Sequence, residues 1–271
     1  MRPPELHPPG ISIRRLEFGY GASRIFGGLN LELGEENPVV ILGPSGCGKT
    51  TLLFLIAGLR TPSGGSIVIR DNGPGGPPGS LSRFAHKNPQ ARQSAAPQAA
   101  LVFQEPRLLP WMTALENTAL PLLRPLGKQK GRERALHFLD LAGLADKAGS
   151  LPPELSGGQR QRVNLARAFA FPSPVILLDE AFQSLDIPLK IAMMDLVMTM
   201  LNREQGRLVV AVTHDPREAV YLGRRIIVLG RGGDGTVPVL DEVLNTEAAG
   251  RSYGSPAQAA VEQRLLAALR G

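Results

Sequence analysis

The chain has 271 residues, 43% hydrophobic and 20% charged, enough apolar mass for one large domain carrying an insert. Its lone cysteine, Cys47, excludes an internal disulfide and suits a reducing compartment. The formal net charge is +6, but the basic residues are spread along the chain. The densest cluster, Lys128 to Arg134, contains Glu133 and no aromatic residue, so nucleic acid is not an expected partner. The longest apolar run, Leu52 to Ala57, is far below the ~20 residues of a membrane span. A membrane role would therefore pass through another protein.

Residues 1–10 are proline-rich, lack a signal-peptide stretch, and read as a flexible lead-in. Ile11–Ile13, Leu29–Leu33 and Ser66–Ile69 alternate apolar and polar residues, which predicts a small antiparallel sheet. Val39–Leu42, Val175–Leu178 and Leu208–Val212 are unbroken apolar runs. Those are expected as parallel strands buried on both faces, with Ile226–Leu229 joining them. Thr50–Ala57 is expected as a helix stopped by Gly58. Residues 71–98 begin Asp71-Asn-Gly-Pro-Gly-Gly-Pro-Pro-Gly-Ser80, have no period, and read as a long surface loop.

Residues 106–170 read as largely helical. Thr113-Ala-Leu-Glu116 has the pattern of a capping box. A helix from Gly131 to Ala142 would carry Leu136, Leu139 and Ala142 on one face and stop at Gly143. Pro256 to Leu269 is expected as an amphipathic helix in a tail spanning 246–271. Together these elements indicate an α/β domain over residues 11–245. Its parallel or mixed core sheet would be flanked by an N-terminal antiparallel subdomain and a helical subdomain.

The chemistry concentrates in a few strings. Gly43-Pro44-Ser45-Gly46-Cys47-Gly48-Lys49-Thr50 follows a buried strand and opens a helix at Thr50 and Thr51. This spacing lets backbone amides wrap a phosphate chain, Lys49 reach the β- and γ-phosphates, and Thr50 ligate Mg²⁺. Val175-Ile-Leu-Leu-Asp179-Glu180 is a strand ending in two acids. Asp179 is placed to hold Mg²⁺ through water and Glu180 to act as general base on an attacking water. Ser156, Gly157 and Gly158 precede an amphipathic helix through Val163, Ala166 and Ala170, a second anion-facing helix end. Gln104 follows the strand-like Ala100–Phe103 and His214 follows Leu208–Thr213, so both would emerge beside Asp179. Tyr20 is either a platform for adenine or a core tyrosine.

In this order the motifs resemble those of the nucleotide-binding subunits of ATP-binding cassette (ABC) transporters, over about residues 11–245. The matching strings are the Walker A loop Gly43–Thr50, the Q-loop Gln104 and the signature Leu155-Ser-Gly-Gly-Gln159. Walker B Val175–Asp179 with Glu180, the D-loop Ser184-Leu-Asp186 and the switch His214 complete the set. The resemblance implies a P-loop NTPase fold and a head-to-tail dimer holding two ATP molecules. Lys49 would then serve one face, and Ser156, Gly157, Gly158 and Gln159 the partner's ATP. Gln104 would touch the γ-phosphate and its metal, His214 would hold phosphate and water in line, and Asp186 would couple the two sites.

Phe103-Gln-Glu-Pro-Arg-Leu-Leu-Pro-Trp-Met112 is similar to the Q-loop region of importers for nitrate, sulfonate and taurine. Leu108, Leu109, Trp111 and Met112 would either receive a short helix of a permease, docking along Glu105–Met112, or pack within the helical subdomain. The absence of fused membrane helices agrees with an importer. This implies a peripheral subunit on the cytoplasmic face of the plasma membrane, with a separate solute-binding protein. Ala181 and Gln183 depart from the family pattern, which has proline and a small residue there, and the 71–98 segment is longer than usual. The alternatives are a soluble ABC ATPase acting on ribosomes, DNA or iron–sulfur assembly, and a catalytically silent cassette. The intact Lys49, Asp179, Glu180 and His214 oppose the latter.

Overall fold

A computed structural model describes residues 9–34, 36–71, 80–84, 99–183, 185–204, 206–233, 235–244 and 253–270. Two sheets form the frame. The first has the order β2-β1-β4-β5, with β1 at Gly10–Tyr20, β2 at Ser23–Leu33, β4 at Gly64–Asp71 and β5 at Ser80–Phe84. All its pairings are antiparallel. Ile11 and Ile13 stand opposite Leu33 and Leu31 on one side and Ile69 and Ile67 on the other. The alternating residues thus form one continuous aliphatic face. β5 corrects the expectation of an unbroken loop over 71–98, for residues 80–84 extend the sheet by pairing with 67–71. Residues 72–79 and 85–98 lie outside the described residues.

The second sheet has the order β10-β9-β3-β8-β7-β6. Its strands are β3 at Val39–Leu42, β6 at Ala99–Val102, β7 at Val175–Asp179, β8 at Leu208–Thr213, β9 at Arg225–Gly232 and β10 at Gly235–Val243. β3, β6, β7, β8 and β9 run parallel, and β10 returns antiparallel along β9. The unbroken apolar runs reflect burial on both faces. Val39, Ile41, Val175, Leu177, Val210 and Ile227 point into one core, shared with the first sheet. Their neighbours Val40, Leu42, Ile176, Leu178, Val209 and Ile226 point into a second core, packed by helices. The two-residue period of a strand makes this division.

The helices are α1 at Lys49–Ile56, α2 at Ala114–Ala119, α3 at Leu123–Leu126, α4 at Lys128–Leu141, α5 at Gly157–Ala170, α6 at Ile187–Arg203, α7 at Pro216–Leu222 and α8 at Pro256–Arg270. The Thr113–Glu116 capping box forms, with Thr113 Oγ1 accepting from the Glu116 amide and the Glu116 carboxylate accepting from the Thr113 amide. In α4 the buried residues are Gly131, Ala135, Phe138 and Leu139. Leu136, expected on that face, is 39% exposed. The apolar stripe is phased through Ala135 and Phe138, and Leu136 lies one residue past it.

Four loops leave the same edge of the core sheet because their strands are parallel. They follow β3, β6, β7 and β8, and they carry every chemically marked residue of the central motifs.

Candidate nucleotide site

The loop after β3 shows why its glycines are needed. Gly48 has φ +102°, and a Cβ there would lie 2.6 Å from Ile25 Cγ2. A Cβ on Gly43 would meet Cys47 Sγ at 2.7 Å and the Leu229 carbonyl at 2.9 Å. The loop thus curls against β2 and β9 with no room for a side chain at Gly43 or Gly48, a close-wound backbone whose amides can face an anion. Lys49 is 4% exposed, and its ammonium donates to the carbonyls of Gly43 and Pro44 at 2.8 and 3.0 Å. Thr51 is buried behind it in α1. Cys47 is buried, its thiol pKa pushed up by desolvation, and its carbonyl accepts from Thr236 Oγ1 at 2.6 Å. That bond ties the loop to the start of β10.

Thr50 and Asp179, 129 positions apart, meet directly, with Thr50 Oγ1 donating to Asp179 Oδ1 at 2.7 Å. Burial pushes the Asp179 pKa up, the Thr50 hydroxyl opposes this, and the neighbouring charge of Glu180 adds to it. A hydroxyl and a half-desolvated carboxylate form the hard-oxygen pair that suits Mg²⁺. Glu180 has φ +46°, a left-handed conformation that costs a non-glycine residue roughly 1–3 kcal/mol. Its amide donates to the Val212 carbonyl of β8 at 3.1 Å. One carboxylate oxygen lies 3.8 Å from Lys49 Nζ, the other 3.5 Å from His214 Nδ1.

Of the other marked residues, Gln104 is exposed and donates to Gln183 Oε1 at 2.7 Å. Tyr20 is 46% exposed, packed edge-on against Phe18, with the Arg60 guanidinium 5.7 Å from its ring centre. It is therefore not a core tyrosine. A cleft of about 340 Å³ opens beside the phosphate loop, lined by Ser23, Arg24, Ile25, Gly46, Arg231 and Thr236.

Ser156 caps α5, its hydroxyl oxygen accepting from the Gln159 amide while the Gln159 side chain accepts from the Ser156 amide. The Ser156 O–H remains able to donate outward. Gly158 packs on Leu189, where a Cβ would come within 2.8 Å of Cδ2. Asp186 caps α6 by accepting from the Leu189 amide at 2.9 Å. These residues sit at the adjoining N-termini of α5 and α6.

Residues 26–183 match the family model described as ABC transporter. An ATP-binding protein of Brucella abortus biovar 1 (strain 9-941) is 36% identical, covering 95% of this chain and 92% of that one. An aliphatic sulfonates import ATP-binding protein of Rhizobium johnstonii is 36% identical, covering 97% of this chain and 87% of its own length. A solved dimeric ATP-binding cassette in a post-hydrolysis state, bound to ADP and Pi, superposes with a TM-score of 0.68 at 34% identity, over 87% of this chain and 99% of that one.

The chain belongs to the ABC transporter family.

As an ABC cassette it binds ATP, and its two-sheet frame is the cassette's α/β fold. It is an ABC ATPase. Among the described residues no helix is long and apolar enough to cross a membrane.

Several residues that organise the cassette carry no motif of their own. Lys190 of α6 reaches Glu218 at 2.5 Å and Asp215 at 3.5 Å. The other Glu218 oxygen accepts from Thr213 Oγ1 at 2.6 Å, so a buried ion pair anchors both sides of His214. Burial is the largest single influence and opposes the Lys190 charge, but the hydrogen bond to Glu218 and the charges of Glu218 and Asp215 together outweigh it and raise its pKa. Asn117, 1% exposed, donates to the carbonyls of Leu109, Met112 and Thr113 and accepts from the Leu109 amide. It shapes the apolar segment, where Leu108 leans on the helical core and Trp111 stands 70% exposed. The only sequence signals were an Asn at helical spacing and a Lys–Glu pair with no local partner.

Proposed function

We propose that this chain is the ATP-hydrolysing subunit of a small-molecule importer of the nitrate, sulfonate and taurine type. The observation that carries the chemistry is the convergence of Lys49, Thr50, Asp179, Glu180 and His214 at one edge of the parallel sheet. The relatives named for aliphatic sulfonate import favour a sulfonate or similar oxoanion as cargo. Tyr20 stacks on adenine, the cleft beside it takes the sugar, and the amides of Gly43–Thr51 wrap the phosphates. Lys49 exchanges its loop carbonyls for β- and γ-phosphate oxygens. Thr50, Asp179 and Gln104 would hold Mg²⁺, which would supply neutralisation of charge on the β- and γ-phosphates. Glu180 takes a proton from the attacking water. His214, linked to the same carboxylate, holds that water in line with the γ-phosphorus, and ADP leaves.

The chain works as a homodimer. Ser156, Gly157, Gly158 and Gln159 at the α5 N-terminus cover the partner's ATP, and Asp186 links the two sites. ATP closes the pair, and phosphate release opens it. A separate permease docks along Glu105–Met112, with Trp111 as the exposed anchor, on the cytoplasmic face of the membrane. A solute-binding protein selects the cargo.

The test is recovery of the tagged protein from detergent-solubilised cells, with bound polypeptides identified by mass. A co-purifying multi-span membrane protein, lost with Trp111→Ala, is the expected result. Ribosomal, DNA-bound or iron–sulfur assembly proteins in its place would overturn the importer and leave the ATPase standing.

A further inference from the structure

One face of α5 carries a connected chain of polar side chains, buried at Gln161 and Asn164 and half-buried at Arg167. Gln161 is 3% and Asn164 0% exposed, and with Arg167 they follow one another at a spacing of three, on the same side of the helix. Gln161 Nε2 donates to the Ala181 carbonyl at 2.7 Å. Asn164 Nδ2 donates to Gln161 Oε1 at 3.4 Å and to the Phe103 carbonyl at 3.1 Å. Arg167 donates to Asn164 Oδ1 at 2.9 Å, to the Pro106 carbonyl at 2.7 Å and to the Arg107 carbonyl at 3.2 Å. Every carbonyl reached lies in one of two loops. One follows β7 and begins with Glu180, and the other follows β6 and leads into Leu108–Met112.

The two ends of this chain lie at two of the three non-glycine residues with positive φ among the described residues, the third being Arg15 in β1. Glu180 and Arg107 both have positive φ, +46° and +45°, and such conformations persist only where neighbours hold them. Glu180 is held before its Cα by the bond from its amide to Val212. On the following residue it is held by Gln161. Arg107 lies with its guanidinium 4.1 Å from the centre of the Phe103 ring, while Arg167 grips the carbonyls on both sides of its amide. A displacement of the 103–107 loop therefore pulls Asn164 and Arg167, and through Gln161 the residue that follows the general base. Hydrogen bonds in series reinforce one another in a low-dielectric interior, and the longest link here is Asn164 to Gln161 at 3.4 Å.

We propose that Gln161, Asn164 and Arg167 are positioning residues that make the placement of the Glu180 carboxylate depend on the conformation of the 103–107 loop. Occupancy of the adjoining apolar segment by a membrane partner thereby tunes the hydrolytic step. The second statement rests on the docking reading above. The first does not.

The experiment is steady-state Mg²⁺-ATPase kinetics of the purified full chain, with no membrane partner present. Gln161→Met keeps the side chain's length and removes its amide. Its kcat should fall by about ten- to a hundredfold, the order expected when a reacting group is misplaced by about 1 Å, with the KM for ATP unchanged. Asn164→Asp keeps the acceptor facing Arg167 and removes both donor bonds; it should show the same split, and it serves if Gln161→Met does not fold. Combining Gln161→Met with Arg167→Lys should cost no more than the worse single change, since either cut breaks the same chain. Wild-type kcat in the folded single variants, or losses that multiply in the double variant, would overturn the relay. The docking reading stands or falls separately, by whether Trp111→Ala still co-purifies a membrane protein.

Discussion

His214 Nδ1 lies 3.5 Å from one carboxylate oxygen of Glu180, whose other oxygen lies 3.8 Å from Lys49. The carboxylate sits between an imidazole and an ammonium, at a backbone position held against its own preference. Replacing Glu180 with Gln keeps the shape and removes the proposed base. Hydrolysis should fall by about 10²–10⁴-fold, the usual contribution of a positioned base. ATP binding should survive, and ATP should trap a dimer visible by size-exclusion chromatography. Turnover at the wild-type rate would remove Glu180 from that role.

As the proposed Mg²⁺ ligand, Asp179 should make cation binding pH-dependent. Burial raises its pKa, so on acidification it takes up a proton at a higher pH than an ordinary carboxylate. Mg²⁺-dependent nucleotide binding should weaken as pH falls through that raised pKa, and Asp179→Asn should abolish the dependence. The folded chain holds this proton more tightly than the unfolded one. Without cation, the group's own contribution to stability is therefore greatest at low pH and declines as pH rises. Thermal melts of wild type and Asp179→Asn, compared between about pH 4 and 7, measure that difference.

Gly48→Ala should weaken the phosphate loop twice over. The left-handed backbone costs alanine roughly 1–2 kcal/mol, and the new methyl would lie 2.6 Å from Ile25 Cγ2. A lowered Tm together with lost ATP affinity by calorimetry is expected. Unchanged affinity would mean that the loop re-forms elsewhere to bind phosphate.

Lys190→Met strands Glu218, which is 4% exposed. Breaking a buried pair from one side typically costs about 3–5 kcal/mol, so denaturant unfolding should shift by a comparable amount. Adding Glu218→Gln should recover much of it, because no uncompensated charge then remains. A double variant as unstable as Lys190→Met would assign the loss to packing of the lysine stem.

Thr236→Val leaves the Cys47 carbonyl without its donor across 189 residues of sequence. A cost of about 1–3 kcal/mol in stability and a raised KM for ATP are expected, read by thermal melts and kinetics. A stability loss with KM unchanged would confine the bond to a structural part.

What the sequence determined by itself is the local chemistry. The phosphate loop is contiguous, so its glycines, Lys49 and Thr50 declare a backbone shape within eight residues. The unbroken runs at β3, β7 and β8 announce burial on both faces, and parallel strands bring the ends of those runs to one edge. From there the meeting of Asp179 with Thr50, and of His214 with Glu180 beside Lys49, could be anticipated. The capping box at Thr113 was legible because it closes within three residues.

Only the tertiary structure decided the rest. Which face of α4 is buried depends on the helices it meets, α2 and α5, and so Leu136 is exposed while Ala135 is covered. The strand at Ser80–Phe84 pairs through backbone groups, which leave no apolar pattern to read. Gln161, Asn164 and Arg167 look like an ordinary polar stripe on a helix. Their role comes from the carbonyls of 103–107 and 181 being brought against that stripe. Contacts of that kind are set by how closely packed layers fit together, and spacing along one chain does not encode them.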